Sequence, residues 1–330
     1  MRRIFYLILF AGLSWAGLLI PVQKVSPALP LQVSFLANLK TGLLQGQYPF
    51  QTKRAYHQKE ENGYIVYKLS AEGIKQYKIQ SPANGYLTYP KDGSYFLWYP
   101  VLGNRVIFYD ASGNQLWEKQ ESRYLQASPN GDVILAAAGD ESRVHLLNPS
   151  LEKIADVEGL LHIYHRFLIQ PKKQTALCAI FLGGTIAYLA EKSEKYFLEN
   201  RIIKSGTCNA AGALLYTSSQ KSNFQSDKIE WCMREKEQEK LPCQDIAIVK
   251  EKFPGKIPLE VYQGTFFFMA PSSNIENVVA YFFHEKLMSK IILPIRKSQL
   301  ENVRVVPISQ NMFMVYTEEA LYFVHKNGIL

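Results

Sequence analysis

Tyr86-Leu-Thr-Tyr89-Pro90-Lys91-Asp92-Gly93, followed by SYFLWYP, NRVIFYD, the turn Ser112-Gly113-Asn114 and QLWEKQ, is the stretch that decides how this 330-residue chain folds. Its short apolar runs are rich in aromatic and β-branched residues and are bounded by Pro, Gly, Asn and Asp, which marks strands joined by tight turns. The plan recurs downstream. Tyr124-Leu-Gln-Ala127-Ser128-Pro129-Asn130-Gly131 leads into DVILAAAG, SRVHLLNP and LEKIADVE. Arg166-Phe-Leu-Ile-Gln170-Pro171-Lys172-Lys173 leads into TALCAIF, Gly183-Gly184, TIAYLAE and KYFLEN. Pro90, Pro129 and Pro171 stand 39 and 42 residues apart, the period of one four-stranded supersecondary unit repeated along the chain.

Degenerate copies extend the series: GTCNAAGALLYTSS at Cys208, FFFMAPSSNIENVVAYFF at Pro271, and RVVPISQNMFMVYTEEALYFVHKNG at the end. The step from Cys208 to Pro271 is 63 residues, so one unit is expected to carry an insertion. Before the first clear unit, NGYIVYKL and IKQYKI read as two outer strands without inner partners, and the last unit stops after a third strand. The two termini are therefore expected to complete one shared sheet and close a ring, which removes exposed sheet edges. The fold class this predicts is all-β: a β-propeller of six to eight four-stranded blades, with seven expected, preceded by an N-terminal transmembrane or signal helix. Over roughly residues 50–330 the chain resembles the bacterial β-propeller repeats of the WD40-like and quinoprotein-like superfamily. The residues that carry the resemblance are the Pro-Lys-Asp-Gly and Pro-Asn-Gly turns and Gly113-Asn114-Gln115-Leu116-Trp117-Glu118, which is similar to the Gly-x-x-Leu-Trp of quinoprotein-type blades. The resemblance implies a rigid disc whose loops bind proteins, or less often sugars or small molecules.

The N-terminus reads differently. Arg2 and Arg3 precede nineteen uncharged residues, IFYLILFAGLSWAGLLIPV from Ile4 to Val22, which as a helix span about 28 Å, close to the hydrocarbon thickness of a bilayer. The arginine bias keeps the short terminus in the cytoplasm and sends the body across. Residues 1–22 are thus expected to be a signal anchor lying in the membrane through Ile4, Leu9, Trp15 and Val22. Cleavage after Ser14-Trp15-Ala16, giving a secreted protein, is the competing reading. Residues 23–50, with Pro27, Pro30 and Pro49 around a Leu31, Phe35, Leu39, Leu43 stripe, read as a linker with one amphipathic helix. Residues 51–330 form the propeller domain, placed outside the cytoplasm.

That compartment fits the cysteines. Cys178, Cys208, Cys232 and Cys243 are an even set, as disulfide bonding requires. Cys232 and Cys243 flank the charged loop MREKEQEKLP between KIEW and QDIAIV, a spacing suited to a bridge across a hairpin base worth about 3 kcal/mol. Cys178 and Cys208 pair by elimination. Zinc and free buried thiols are the alternatives, and no CxxC pair supports the former. The net charge of +8, from 37 Lys and Arg against 29 Asp and Glu, is scattered along the chain and predicts a solvated basic surface with no nucleic-acid partner.

Chemistry-bearing constellations are sparse. His162-Ile-Tyr-His165 is the one close histidine pair, and a separation of three on a strand places the rings on opposite faces, so no metal site is expected. His57, His145, His284 and His325 are dispersed. No Gly-x-Ser-x-Gly, Walker loop, HExxH or Gly-x-Gly-x-x-Gly occurs. The runs Tyr95-Phe-Leu-Trp98-Tyr99 and Phe266-Phe-Phe268, together with Trp117, are assigned to packing between blades. Asn104, Arg105, Glu141 and Arg143, between second and third strands, are expected to project from one rim as partner-contact loops. The expectation is a membrane-anchored, extracytoplasmic protein-interaction scaffold without cofactor, metal or catalytic residues. A hydrolase, lyase or sugar-binding propeller with acidic and aromatic side chains in a central funnel is the alternative.

Overall fold

A computed structural model describes residues 55–330, except 71–72, 83, 121–122, 139–141, 170–174, 220–226, 235–240, 250–252, 254, 273–274, 285–286, 318–319 and 330. The readings of residues 1–22 and 23–50 lie outside it. Among the described residues no helix is long and apolar enough to cross a membrane.

The described chain is almost wholly antiparallel β, in seven sheets met in chain order, six of four strands and the first of three. Blade 1 holds β1 (Ala55–Glu60), β2 (Gly63–Ser70) and β3 (Gly73–Gln80). Blade 2 runs from β4 (Gly85–Thr88) through β5 (Tyr95–Pro100) and β6 (Arg105–Asp110) to β7 (Gln115–Gln120), and blade 3 from β8 (Arg123–Ala127) through β9 (Ile134–Ala138) and β10 (Arg143–Leu147) to β11 (Lys153–Glu158). Blade 4 comprises β12 (His162–Leu168), β13 (Ala176–Phe181), β14 (Thr185–Leu189) and β15 (Glu194–Phe197); blade 5 comprises β16 (Arg201–Asn209), β17 (Gly212–Ser219), β18 (Asp227–Met233) and β19 (Cys243–Val249). Blade 6 spans β20 (Leu259–Tyr262) to β23 (Leu287–Arg296), and blade 7 spans β24 (Arg304–Ser309) to β27 (Gly328–Ile329). This is a seven-bladed β-propeller.

Burial follows position within a blade. The second strands β5 and β13 and the third strand β14 are buried along nearly their whole length, whereas the fourth strand β7 is mostly exposed. Inner strands are covered on both faces by neighbouring blades, so YFLWYP and ALCAIF read as continuous apolar runs where a one-sided sheet would alternate. Tyr95, Phe96, Leu97, Trp98 and Tyr99 are all buried, and Trp117 stacks on Phe108 at 4.7 Å. The aromatic runs are core, as expected.

First strands stand side by side around the axis, β4 beside β8, β12 beside β16, β16 beside β20 and β20 beside β24. The Pro-Asn-Gly turn locks blade to blade: Lys91 N–H donates to Pro129 O at 3.0 Å, and Gly131, at φ +78, leaves no room for a Cβ, which would meet the Pro90 ring at 2.7 Å. Turns joining first to second strands make the upper face. The lower face carries the turns from second to third strands and the links between blades, tied by Val101 N–H to Asn84 O and Gly159 N–H to Ser142 O.

Two sequence expectations about the termini need correction. The last unit does not stop at a third strand, because β27 pairs with β26 (Leu321–His325) as its fourth, and among the described residues the first and last strands belong to separate sheets. At the other end, NGYIVYKL and IKQYKI do have an inner partner, β1, in register from Ala55 opposite Lys68 to Glu60 opposite Gly63. Ala55 lies against Gly93, and Lys68 Nζ donates to Gly93 O and Ala111 O. These contacts align β1, β2 and β3 with the second, third and fourth strands of blade 2, and no described strand holds the innermost place in blade 1. A third correction concerns Pro271, which lies in the second strand of blade 6, β21 (Thr265–Ser272). It is therefore not equivalent to Pro90 and Pro129, and the 63-residue step compared unlike positions. The surplus itself is real, carried by the turn between β18 and β19 and the link from β19 to β20.

Candidate functional site on the lower face of blades 2 to 4

Twelve large apolar side chains are exposed among the described residues, and seven of them, Tyr86, Val101, Leu102, Tyr124, Leu160, Leu161 and Phe197, crowd the lower face of blades 2 to 4. Leu102, at the tip of the β5–β6 turn, is 90% exposed and Leu160, in the link from blade 3 to blade 4, is 68% exposed. Between these tips Tyr86, Tyr99 and Tyr124 form a row, with ring centroids 5.5 and 5.8 Å apart. Single exposed apolar residues are ordinary on a soluble surface, but a cluster in one sector of one face marks an interaction site.

The row runs inward to a polar floor. Tyr124 Oη donates to Gln126 Oε1 at 3.0 Å, and the same oxygen meets His165 Nε2 at 2.7 Å. His165 stacks on His162 with centroids 5.2 Å apart. The expectation of opposite faces fails here because β12 carries a bulge between His162 and Tyr164, which turns His162 back onto the face of His165. Desolvation lowers His162 to about 4, with the Lys256 charge adding to the effect, and lowers His165 to about 3, with His162 as the second cause. Both rings are neutral at pH 7. The buried Nε2 atoms of His162 and Gln126 make no hydrogen bond within the described chain.

Further along the inner strands, Tyr164 Oη meets Thr207 Oγ1 at 3.0 Å. Arg166 Nη1 donates to Glu260 Oε1 at 2.6 Å, pairing blade 4 with blade 6 past the first strand of blade 5. Both side chains are under a tenth exposed. The inner belt is therefore polar, and its one carboxylate among these residues is spent on an arginine. Burial pushes the Tyr164 hydroxyl up, which keeps it a neutral hydrogen-bonding group.

Of the loop residues singled out from the sequence, Asn104 and Arg105 lie at the lower face beside Leu102, and Arg143 opens β10 on the same face. Arg105 pairs with Glu118 at 2.7 Å and Arg143 with Glu158 at 2.5 Å, each across adjacent third and fourth strands; Glu141 is outside the described residues. Both disulfides form as expected. Cys232 and Cys243 face each other across β18 and β19, and Cys178 of blade 4 bridges to Cys208 of blade 5. Elsewhere, a cleft of about 430 Å³ between blades 1 and 2 is lined by Asn62, Lys78, Gln80, Arg105 and Gln115 among others. No group of three His, Cys, Asp or Glu side chains able to hold a metal ion occurs among the described residues. The leucine tips escaped sequence reading, although Val101-Leu102 and Leu160-Leu161 were visible as apolar pairs where a turn normally places polar residues.

No family model matches the chain, and no curated protein matches it in sequence. Among solved structures it is similar to KlHsv2 with loop 6CD replaced by a Gly-Ser linker, at TM-score 0.50 and 10% identity over 83% of this chain and 90% of that one. It is also similar to the Nup133 β-propeller domain of Vanderwaltozyma polyspora (TM-score 0.49, 9% identity, 81% and 90% covered) and to the WD40 domain of SCAP from fission yeast (TM-score 0.48, 9% identity, 84% and 82% covered). At such identities, likeness concerns the fold alone.

Proposed function

We propose that this protein is an interaction scaffold without chemistry of its own, held at a membrane on the extracytoplasmic side, whose lower face on blades 2 to 4 receives a protein partner. The observation that carries the reading is the gathering of seven exposed apolar side chains on that sector. A rigid frame supports it, since core clusters join residues of neighbouring blades and so hold the leucine tips at fixed separation. Asn104, Arg105 and Arg143 border the patch and supply its polar rim, the usual arrangement around an apolar interface centre. The tether rests on Arg2-Arg3 and the uncharged Ile4–Val22 run, and the compartment on that run together with the two disulfides.

Burying two leucines and a tyrosine in an interface contributes several kcal/mol, with about 1.5–3 for each fully buried side chain. Leu102→Ser with Leu160→Ser is therefore expected to lower recovery of a partner from solubilised membranes at least tenfold. Leu116→Ser, on the outer strand β7, leaves it unchanged. Equal recovery with both variants would remove the lower face from the account.

A further inference from the structure

We infer that the lower-face surface is proton-controlled: acidification charges the stacked His162 and His165 rings and releases the Leu160–Leu161 link from the position in which it completes the apolar patch. This rests on the reading of that face as the partner surface. The link is short and directly coupled to the rings. It is held by three backbone bonds, Gly159 N–H to Ser142 O, Leu182 N–H to Leu161 O and Gly183 N–H to Leu160 O, and Leu161 is followed at once by His162 in the bulge that opens β12. A backbone displacement that carries His162 out of its stack moves Leu161 with it, because the two residues are joined directly at the start of the bulge.

Most of the surroundings oppose charge on the rings; the Tyr164 backbone, hydrogen-bonded to His162, favours it and is outweighed by desolvation. His162 packs against Phe181 at 5.6 Å and His165 against Phe167 at 6.3 Å, while blade 3 offers the neutral amide of Gln126. Lys256, from the link between blades 5 and 6, adds a like charge to His162, and each ring would add one to the other. Arg166, on the same strand, is committed to Glu260. Neither ring hydrogen-bonds a carboxylate among the described residues. A protonated pair is thus two cations stacked at 5.2 Å in a site withdrawn from water, and moving the rings into water relieves both desolvation and repulsion.

The sign follows from the lowered values. A histidine whose pKa in place lies below that in water favours the closed form at neutral pH, and that preference is lost as pH falls from about 6.5 toward the value in place. With His162 at about 4 when stacked and about 6.5 when exposed, the opening equilibrium rises roughly 60-fold between pH 7 and pH 4.5 from this ring alone.

Amide hydrogen exchange on the full chain, corrected for intrinsic rates, reads the opening. Between pH 7 and pH 4.5, peptides covering 159–165 are expected to exchange at least tenfold faster while those covering β13 do not change. His162→Phe, which keeps a flat ring and cannot charge, and His162→Gln, which keeps a polar side chain, are both expected to reduce the acceleration, and His162→Gln with His165→Gln is expected to abolish it. An unaltered rate in the parent protein, or the same acceleration in the single variants or in the double variant, would overturn the inference. Exchange is measured without any partner, so a pH-insensitive link sinks the switch and spares the partner surface. Partner recovery that ignores Leu102 and Leu160 sinks the partner surface, and the switch loses its role in binding.

Discussion

Glu260→Ala is expected to destabilise the propeller by about 3–5 kcal/mol, the cost of leaving the buried Arg166 guanidinium without its counter-charge. Arg166 and Glu260 sit on the first strands of blades 4 and 6, and both are almost fully withdrawn from water. Their attraction does little more than offset the desolvation of two charges, so the pair is dispensable as a unit and costly to break singly. Replacing both, with Arg166→Met and Glu260→Leu, is expected to return most of the stability lost in the single variant. Urea denaturation followed by tryptophan fluorescence measures all three. A single variant as stable as the parent would show that water reaches the belt and that the inner strands are less tightly closed than described.

Removing the bridge between blades comes next in size. Cys178 and Cys208 are both fully buried, and their bond closes a 30-residue separation between the second strand of blade 4 and the first strand of blade 5. By the chain-entropy account such a closure contributes about 4 kcal/mol, against about 3 for the shorter closure at Cys232 and Cys243. Cys178→Ala with Cys208→Ala is therefore expected to lower the urea midpoint further than Cys232→Ala with Cys243→Ala. The difference also has a structural source: the first bridge ties two blades together, whereas the second joins strands already paired within one. The reverse order would indicate that packing alone secures the contact between blades 4 and 5.

Much of this architecture was legible in the sequence because blades are built from local contacts. Pro90-Lys91-Asp92-Gly93 and Ser128-Pro129-Asn130-Gly131 give the turn between first and second strands from residues adjacent in the chain, and the repeat spacing gives the unit. Most of what failed involved residues far apart or a local irregularity. β27 and β1 were missed although each pairs with its sequence neighbour across a two-residue turn, His325 opposite Gly328 and Glu60 opposite Gly63, where Asn327-Gly328 and Asn62-Gly63 are hairpin signals. A single bulge reversed the expected geometry of His162 and His165, since one extra residue shifts a side chain to the other face. The Arg166–Glu260 pair joins residues 94 apart, and nothing near either announces the other. The patch was missed for a different reason: Tyr86 and Leu102 come from blade 2, Tyr124 from blade 3 and Leu160 from the link between blades 3 and 4, and only the packing of the blades brings them to one face.

Site-specific photocrosslinking in intact membranes tests the central claim most directly, with the reactive group placed in turn at Leu102, Leu160 and Leu116. A crosslink to one discrete protein partner from both Leu102 and Leu160, and none from Leu116 on the outer strand of blade 2, is the predicted result. Crosslinks from Leu116 alone, or to lipid alone from Leu102 and Leu160, would contradict the assignment of the lower face to a protein partner.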